Sequence, residues 1–165
     1  MLHFGIIFAS IVKTLLMKRF NLLMIAGLLI LSSCTKWQSN QKQITKVSTD
    51  GTWMISSYID DGNDETNDYT SYRFEFLEDG TLNAIDLLSS SSTPYIGSWS
   101  ITDSNSSDDD DSLDNLDFNI SFSSNSLLEN LSDDWDIISF SDTDIKLIDV
   151  SGGNGGTAYL TLSKI

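Results

Sequence analysis

The chain contains one thiol and one imidazole, so its scope for covalent or acid–base chemistry is narrow. Cys34 is the only cysteine among 165 residues, and His3 is the only histidine. A single cysteine has no disulfide partner within the chain, which leaves its thiol free to accept a covalent group. Ser32 and Ser33 stand directly before it, and such small side chains give an enzyme access to the backbone. Cys34 is therefore the residue at which we expect chemistry.

A short apolar run, Phe20 to Leu31, lies just before this cysteine and follows the basic pair Lys18 and Arg19. A basic segment, a short apolar segment and small residues before a cut site form the layout of a secretory signal peptide. Crossing a bilayer as a helix takes roughly 20 apolar residues, and this run ends well short of that length. We interpret residues 1–33 as a cleaved leader.

The leader also contains apolar residues ahead of this signal. Ile6-Ile7-Phe8 and Ile11-Val12 precede a segment that already has every part of a signal peptide from Met17 onward. We predict that translation naturally starts at Met17. The alternative is one long, merged signal segment.

The tetrapeptide Leu31-Ser32-Ser33-Cys34 resembles the lipobox of bacterial lipoproteins, in which an aliphatic residue and two small residues precede a lipidated cysteine. The resemblance implies cleavage between Ser33 and Cys34 and attachment of a diacylglycerol to the thiol of Cys34. It also implies a membrane anchor in the cell envelope. We expect the outer membrane, on either its periplasmic or its outer side.

Removal of the leader leaves a strongly acidic chain. Residues 34–165 number 132 (165 minus 33), which suits one domain plus a tether. They retain six of the nine Lys and Arg residues and all 24 Asp and Glu residues, so their net charge is −18 (6 minus 24). Such a charge repels phosphate backbones, and we therefore expect no nucleic-acid partner.

The mature chain also lacks the side chains that enzymes use most often. His3 leaves with the leader, and Cys34 is committed to the lipid, so the commonest general base, the commonest zinc ligands and the cysteine nucleophile are all missing. We predict a protein that is not an enzyme and that needs no cofactor. Catalysis by carboxylates alone is the remaining enzymatic alternative.

Two segments follow the cleavage site. Residues 34–48 are polar and show no apolar period, so we interpret them as a flexible tether spanning on the order of 20 Å. From residue 49 to residue 165 the dominant signal is period-two alternation of apolar and polar residues, which is typical of half-buried strands. The sequence therefore predicts a β domain over 49–165.

Eight strands are predicted in this domain, and two of them alternate with particular clarity. Tyr72, Phe74 and Phe76 alternate with polar residues, as do the apolar residues of 116–122. The full set is 52–59, 72–76, 81–88, 95–101, 116–122, 135–140, 144–150 and 158–163. Turn residues such as Asp79-Gly80 separate the runs, and a helical turn is indicated only over 126–131. Short strands joined by turns favour an all-β antiparallel meander, closed into a barrel or folded as a β-sandwich.

The tripeptide Gly51-Thr52-Trp53 at the first strand matches the Gly-x-Trp signature of lipocalins, and Gly97-Ser98-Trp99 repeats it. With the strand series behind it, the chain resembles the lipocalin-like domains of lipid-anchored bacterial proteins over roughly residues 48–165. The resemblance implies an eight-stranded barrel whose closed end is plugged by Trp53. It also implies an arginine stacked on that tryptophan near the end of the last strand, where this sequence has Lys164.

Alternation assigns a set of large apolar residues to the barrel interior, where they line a ligand pocket or fill the core. These residues are Trp53, Tyr72, Phe74, Phe76, Trp99, Phe118, Ile120 and Phe122.

Two acidic segments have the composition of a cation site. Asp108, Asp109, Asp110 and Asp111 supply the oxygen ligands that calcium requires, but their spacing is not that of an EF-hand. A second acidic segment, 60–68, has a similar composition. We favour a solvated surface for both and predict no metal site.

These features support two hypotheses of different kinds. The first is a lipid-anchored envelope protein whose lipocalin-like barrel binds a small apolar or amphipathic ligand. The alternative is a non-enzymatic interaction or structural module that contacts protein, glycan or cation through its acidic loops. Inference from fold to function is analogy, so an open apolar cup would favour the first hypothesis, and a filled core with exposed aromatic residues would favour the second.

Overall fold

A computed structural model describes residues 37–91, 93–103, 113–150 and 156–165 of the chain. The predicted leader, the lipobox with Ser33 and Cys34, and the run Asp108 to Asp111 lie outside these residues. Ser39–Ile165 belongs to one compact unit. None of the helices in the described ranges has the length and apolar character needed to cross a membrane.

Nine strands form one antiparallel sheet in which each strand pairs with a neighbour in the chain. They are β1 (Trp53–Asp60), β2 (Asn63–Asp64), β3 (Tyr72–Phe76), β4 (Thr81–Asp86), β5 (Tyr95–Asp103), β6 (Leu116–Ser121), β7 (Asp133–Phe140), β8 (Asp144–Val150) and β9 (Thr157–Lys164). β1 also pairs with β9 along most of its length, and β2 is a two-residue addition to β1. The eight other strands therefore close into a barrel. The all-β, eight-stranded meander barrel predicted from the sequence is confirmed, and the sandwich alternative is wrong.

The register of the strands places one apolar face inside the barrel. Trp99 of β5 lies opposite Ile120 of β6, and Ile101 lies opposite Phe118. All four side chains are buried. Because successive side chains of a strand point to opposite faces, the polar residues between them point outward. The alternation seen in the sequence is thus the alternation of inside and outside.

The β3–β4 hairpin shows how turn chemistry sets this register. Gly80 has φ +85°, a conformation that residues with a Cβ rarely adopt. Leu77 donates its backbone N–H to the carbonyl of Thr81, and the carboxylate of Asp79 accepts the N–H of Thr81. The Asp-Gly turn therefore forms where the sequence predicts it.

The segment predicted to be a flexible tether contains a helix, α1 (Trp37–Thr49). Ile44 of this helix has 0 % of its surface exposed. Gln41 donates its side-chain N–H to the carbonyl of Ile101 in β5, and the indole N–H of Trp53 donates to the carbonyl of Ser48, each over 2.9 Å. Residues 37–48 of the predicted tether 34–48 are therefore helical, because tertiary contacts, and not an apolar period, stabilise the helix.

Candidate functional site at the barrel mouth

The two ends of the barrel differ in what covers them. At the closed end β1 begins, β9 ends and α1 packs against the strands. At the opposite end, which we call the mouth, β1 ends and β3 begins. A 3-10 helix (Thr66–Tyr69) and a one-turn helix, α2 (Ser126–Glu129), lie in the connections at the mouth.

Trp53 plugs the closed end as the resemblance to lipocalins implies. Its side chain is fully buried, and the Nζ of Lys164 lies 5.6 Å from the centre of its ring. The same Nζ lies 2.9 Å from a carboxylate oxygen of Asp50, and this hydrogen bond and charge hold the pKa of Asp50 below its usual value. Lys164 therefore lies over the tryptophan where the resemblance to lipocalins implies arginine. A point charge on a flexible stem replaces a planar stacking group.

The eight residues assigned to the interior are all buried. Phe76 packs edge-on against Trp99 and Phe118, with ring centres 5.2 and 5.4 Å apart, and the rings of Trp99 and Phe118 are stacked at 5.7 Å. An internal cavity of ligand size would leave accessible surface on the side chains that line it. Most described interior residues instead expose 2 % or less of their surface, so side chains fill the described interior.

Residues at the mouth complete this packing, and the sequence indicated only some of them. Leu128 and Leu131 lie in the region where a helical turn was predicted, and both are buried. Tyr69 was missed although it is fully buried, because it belongs to a short 3-10 helix with no strand alternation. Its ring packs edge-on against Tyr58 at 5.3 Å. The only available signal was an aromatic residue at the end of an acidic segment.

Aromatic side chains line one side of the mouth. Tyr72 lies 6.4 Å from both Phe74 and Tyr95, measured between ring centres. The ring of Phe122 lies over Gly97, where a Cβ would approach it to 2.6 Å. The glycine of the second Gly-x-Trp tripeptide therefore makes room for an aromatic residue at the mouth.

A surface groove of about 480 Å³ opens beside these aromatic residues. Tyr95 is half-buried in its wall, and Ile96, Leu87 and Leu88 are exposed nearby. The groove is lined by Ser89, Ser91, Thr93, Pro94, Tyr95, Ile96 and Ser124. Its wall thus combines apolar surface with hydroxyl groups, the mixture that amphipathic ligands require.

Carboxylates complete the rim of the mouth. Asp60 of β1 and Asp149 of β8 both pair with Ala158 of β9 and share its inward-facing position. Asp86 and Asp133 occupy the inward-facing positions of β4 and β7 by the same alternation. The sequence did not reveal this set, because its members are far apart in the chain.

Burial, with a contribution from the rim carboxylates, raises the pKa of two groups at the mouth. Burial raises the pKa of Tyr58 to about 12, and the charges of Asp60, Glu65, Asp133 and Asp149 contribute. Burial also raises the pKa of Asp133 itself, and the Asp149 charge adds to the effect. Asp133 and Asp149 therefore lie close enough for their charges to interact.

The acidic residues do not form a metal site in the described part of the chain, where no group of three or more His, Cys, Asp or Glu side chains is arranged to hold an ion. In the second acidic segment, the carboxylate of Asp64 accepts the backbone N–H of Thr66, the first residue of the 3-10 helix, over 3.0 Å. That carboxylate therefore has a structural role.

The search for relatives found no protein-family model that matches the sequence and no curated protein with significant similarity to it.

Proposed function

We propose that this chain is a lipid-anchored protein of the bacterial envelope whose barrel binds a small apolar or amphipathic ligand at the mouth. The observation that carries the proposal is the groove beside the aromatic side chains of Tyr72, Tyr95 and Phe122. Tyr95 lies in the wall of this groove and its ring is 6.4 Å from that of Tyr72, so the groove borders the aromatic side of the mouth. The protein acts by binding and not by catalysis.

The carboxylates of the rim restrict the charge that the headgroup of a ligand can carry. Four inward-facing aspartates lie at the mouth, and burial together with the charges of three of them, Asp60, Asp133 and Asp149, raises the pKa of Tyr58 to about 12. A carboxylate or phosphate headgroup at this rim would be repelled. A neutral or cationic headgroup avoids that repulsion, so fatty acids are disfavoured and amines or neutral amphipaths are favoured.

Replacing Tyr95 with alanine is expected to weaken ligand binding at the mouth. We expect the affinity for the neutral probe N-phenyl-1-naphthylamine, followed by its fluorescence, to fall about tenfold, the effect of removing one well-packed aromatic contact. The matched control is Tyr159→Ala, which removes a tyrosine that is 46 % exposed on the outer face of β9. The control should bind the probe like the parent protein.

Competition by amphipaths of equal chain length supplies the second readout of this experiment. Dodecyltrimethylammonium should displace the probe at lower concentration than laurate, because only the former suits the acidic rim. Equal competition by both would contradict the headgroup assignment. Failure of the parent protein to bind any of the three, with a ligand-free mass in native mass spectrometry, would overturn the binding function.

The lipid anchor is tested separately. Replacing Cys34 with alanine should abolish labelling by radioactive palmitate and move the protein from the membrane fraction to the soluble fraction, because the thiol that accepts the lipid is gone. Ser33→Ala is the control, since it keeps a small residue before the cysteine and should leave labelling intact. Unchanged membrane retention of the Cys34→Ala protein would contradict the lipobox interpretation.

The filled interior and the exposed Tyr159 are the observations expected for the alternative function, an envelope interaction module. Tyr159 of β9 lies between its pairing partners Ile59 of β1 and Ile148 of β8. These three residues form an apolar row on the outside of the barrel. If the mouth binds no amphipath, this row becomes the better candidate surface, and Tyr159→Ala becomes the variant to examine for loss of a protein partner.

A further inference from the structure

The connection between β6 and β7 is a compact loop closed at its base. The backbone N–H of Phe122 donates to the hydroxyl of Ser132 over 2.8 Å, and that hydroxyl donates to the carbonyl of Phe122 over 3.3 Å. Loops of this size whose ends meet pack on their own side chains and are frequently functional. We call residues 123–131 the mouth loop.

The mouth loop is organised by its own hydrogen bonds. Asn125 caps α2, with its side-chain oxygen accepting from the N–H groups of Leu127 and Leu128 at 2.9 and 3.3 Å. The N–H of Glu129 donates to the carbonyl of Asn125, and the N–H of Leu131 donates to the carbonyl of Leu128. Ile120 and Asp133 are the last residues that pair between β6 and β7. The loop therefore makes none of the hydrogen bonds that join the two strands.

The two faces of the mouth loop differ in polarity. Leu128 and Leu131 point into the barrel, and 0 % and 1 % of their surface is exposed. Ser126, Glu129 and Asn130 are exposed on the other face. The loop is therefore a small amphipathic cap whose two leucines occupy the interior directly below the mouth.

Two tyrosine hydroxyls hold this cap onto the barrel. Tyr69 Oη donates to the carbonyl of Leu127 over 3.0 Å, and Tyr58 Oη donates to the carbonyl of Asn130 over 3.1 Å. Tyr69 belongs to the 3-10 helix and Tyr58 to β1. The indole N–H of Trp135 in β7 also donates to the carbonyl of Leu131 over 3.1 Å. Side chains from outside the loop therefore bind its backbone at three points, and we call the two tyrosines the latch.

We propose that the mouth loop is a lid that opens as a unit and lets a ligand replace Leu128 and Leu131 in the barrel. The inference rests on the proposed binding function, because it explains how a filled barrel admits a ligand. Opening breaks the two tyrosine hydrogen bonds and the bond from Trp135 to Leu131, and it withdraws two leucines. It leaves the ladder of β6 and β7 intact. Local openings of this kind require less free energy than global unfolding. The apolar part of the ligand takes over the contacts that the leucines give up.

Hydrogen exchange measured by mass spectrometry on the full chain tests the lid directly. In the double variant Tyr58→Phe, Tyr69→Phe, amides of residues 127–131 should exchange about 25-fold faster, a factor of about five for each neutral hydrogen bond removed. Peptides from β8 and β9 should exchange at the parent rate. Tyr159→Phe is the matched control and should change neither region. A second variant, Asn125→Ala, removes the cap of α2 and should also accelerate exchange in the loop alone.

The outcomes separate the lid from the binding function. Unchanged exchange in the loop for both variants would overturn the lid, and so would acceleration spread evenly over the barrel, because the loop would then be a fixed part of the core. Faster exchange confined to the loop supports the lid. If N-phenyl-1-naphthylamine then binds the double variant more tightly than the parent, the ligand enters by this route. If the probe still fails to bind, the lid stands and the proposed function fails.

Discussion

Replacing Trp53 with alanine is expected to lower the free energy of unfolding by about 3–5 kcal/mol, the range for removing a buried large aromatic side chain. Trp53 has no exposed surface, its indole N–H is hydrogen-bonded to the carbonyl of Ser48, and Lys164 covers its ring. The substitution therefore opens a cavity where β1, β9 and α1 meet. Chemical denaturation of the full chain, followed by circular dichroism, measures the change.

A graded pair of variants separates packing from hydrogen bonding at this position. Trp53→Phe keeps a ring in the closed end but loses the N–H donor, so its destabilisation should fall well below that of Trp53→Ala. Tyr159→Ala removes an aromatic residue from the outer face and should cost less than about 1 kcal/mol. A Trp53→Ala protein as stable as the Tyr159→Ala protein would show that Trp53 does not plug the barrel.

Replacing Ile44 with alanine should lower the free energy of unfolding by about 2–5 kcal/mol, as expected for truncation of a fully buried aliphatic side chain. Ile44 anchors α1 against the closed end, where Gln41 and Ser48 also bond to the barrel. A flexible tether at the same place would predict no change. The same denaturation experiment therefore decides between the helix and the tether.

The control for this variant is the neighbouring exposed residue Gln43. Gln43→Ala leaves the buried face of α1 unaltered and should change the stability by no more than about 0.5 kcal/mol. If Ile44→Ala also leaves the free energy of unfolding unchanged, α1 does not stabilise the barrel. That result would favour the interpretation of this segment as a tether.

The strands were predictable because their signal is local. In β6, Leu116, Phe118 and Ile120 alternate with polar residues, and this pattern alone identifies the element and its buried face. β8 was predicted to the residue as 144–150. The choice between barrel and sandwich was not predictable in the same way. It depends on the pairing of β1 with β9, and alternation identifies faces but not partners.

The candidate site was predictable only in part. Tyr72 and Phe122 were assigned to the interior from their alternation, and both lie at the mouth. The aspartates of the rim were not recognised as a group, because Asp60, Asp86 and Asp133 become neighbours only when the strands that carry them align. The mouth loop and its tyrosine latch were missed for the same reason.

The sequence by itself determined which faces of the strands are buried and how acidic the chain is, and it predicts a lipid on Cys34. These properties depend on residue types and on spacing between near neighbours in the chain. Only the tertiary structure decided that the sheet closes, that α1 packs on the closed end, and that Lys164 lies over Trp53. It also decided that Leu128 and Leu131 fill the mouth. Each of these depends on contacts between residues distant in the chain, which form only when closure of the barrel brings them together.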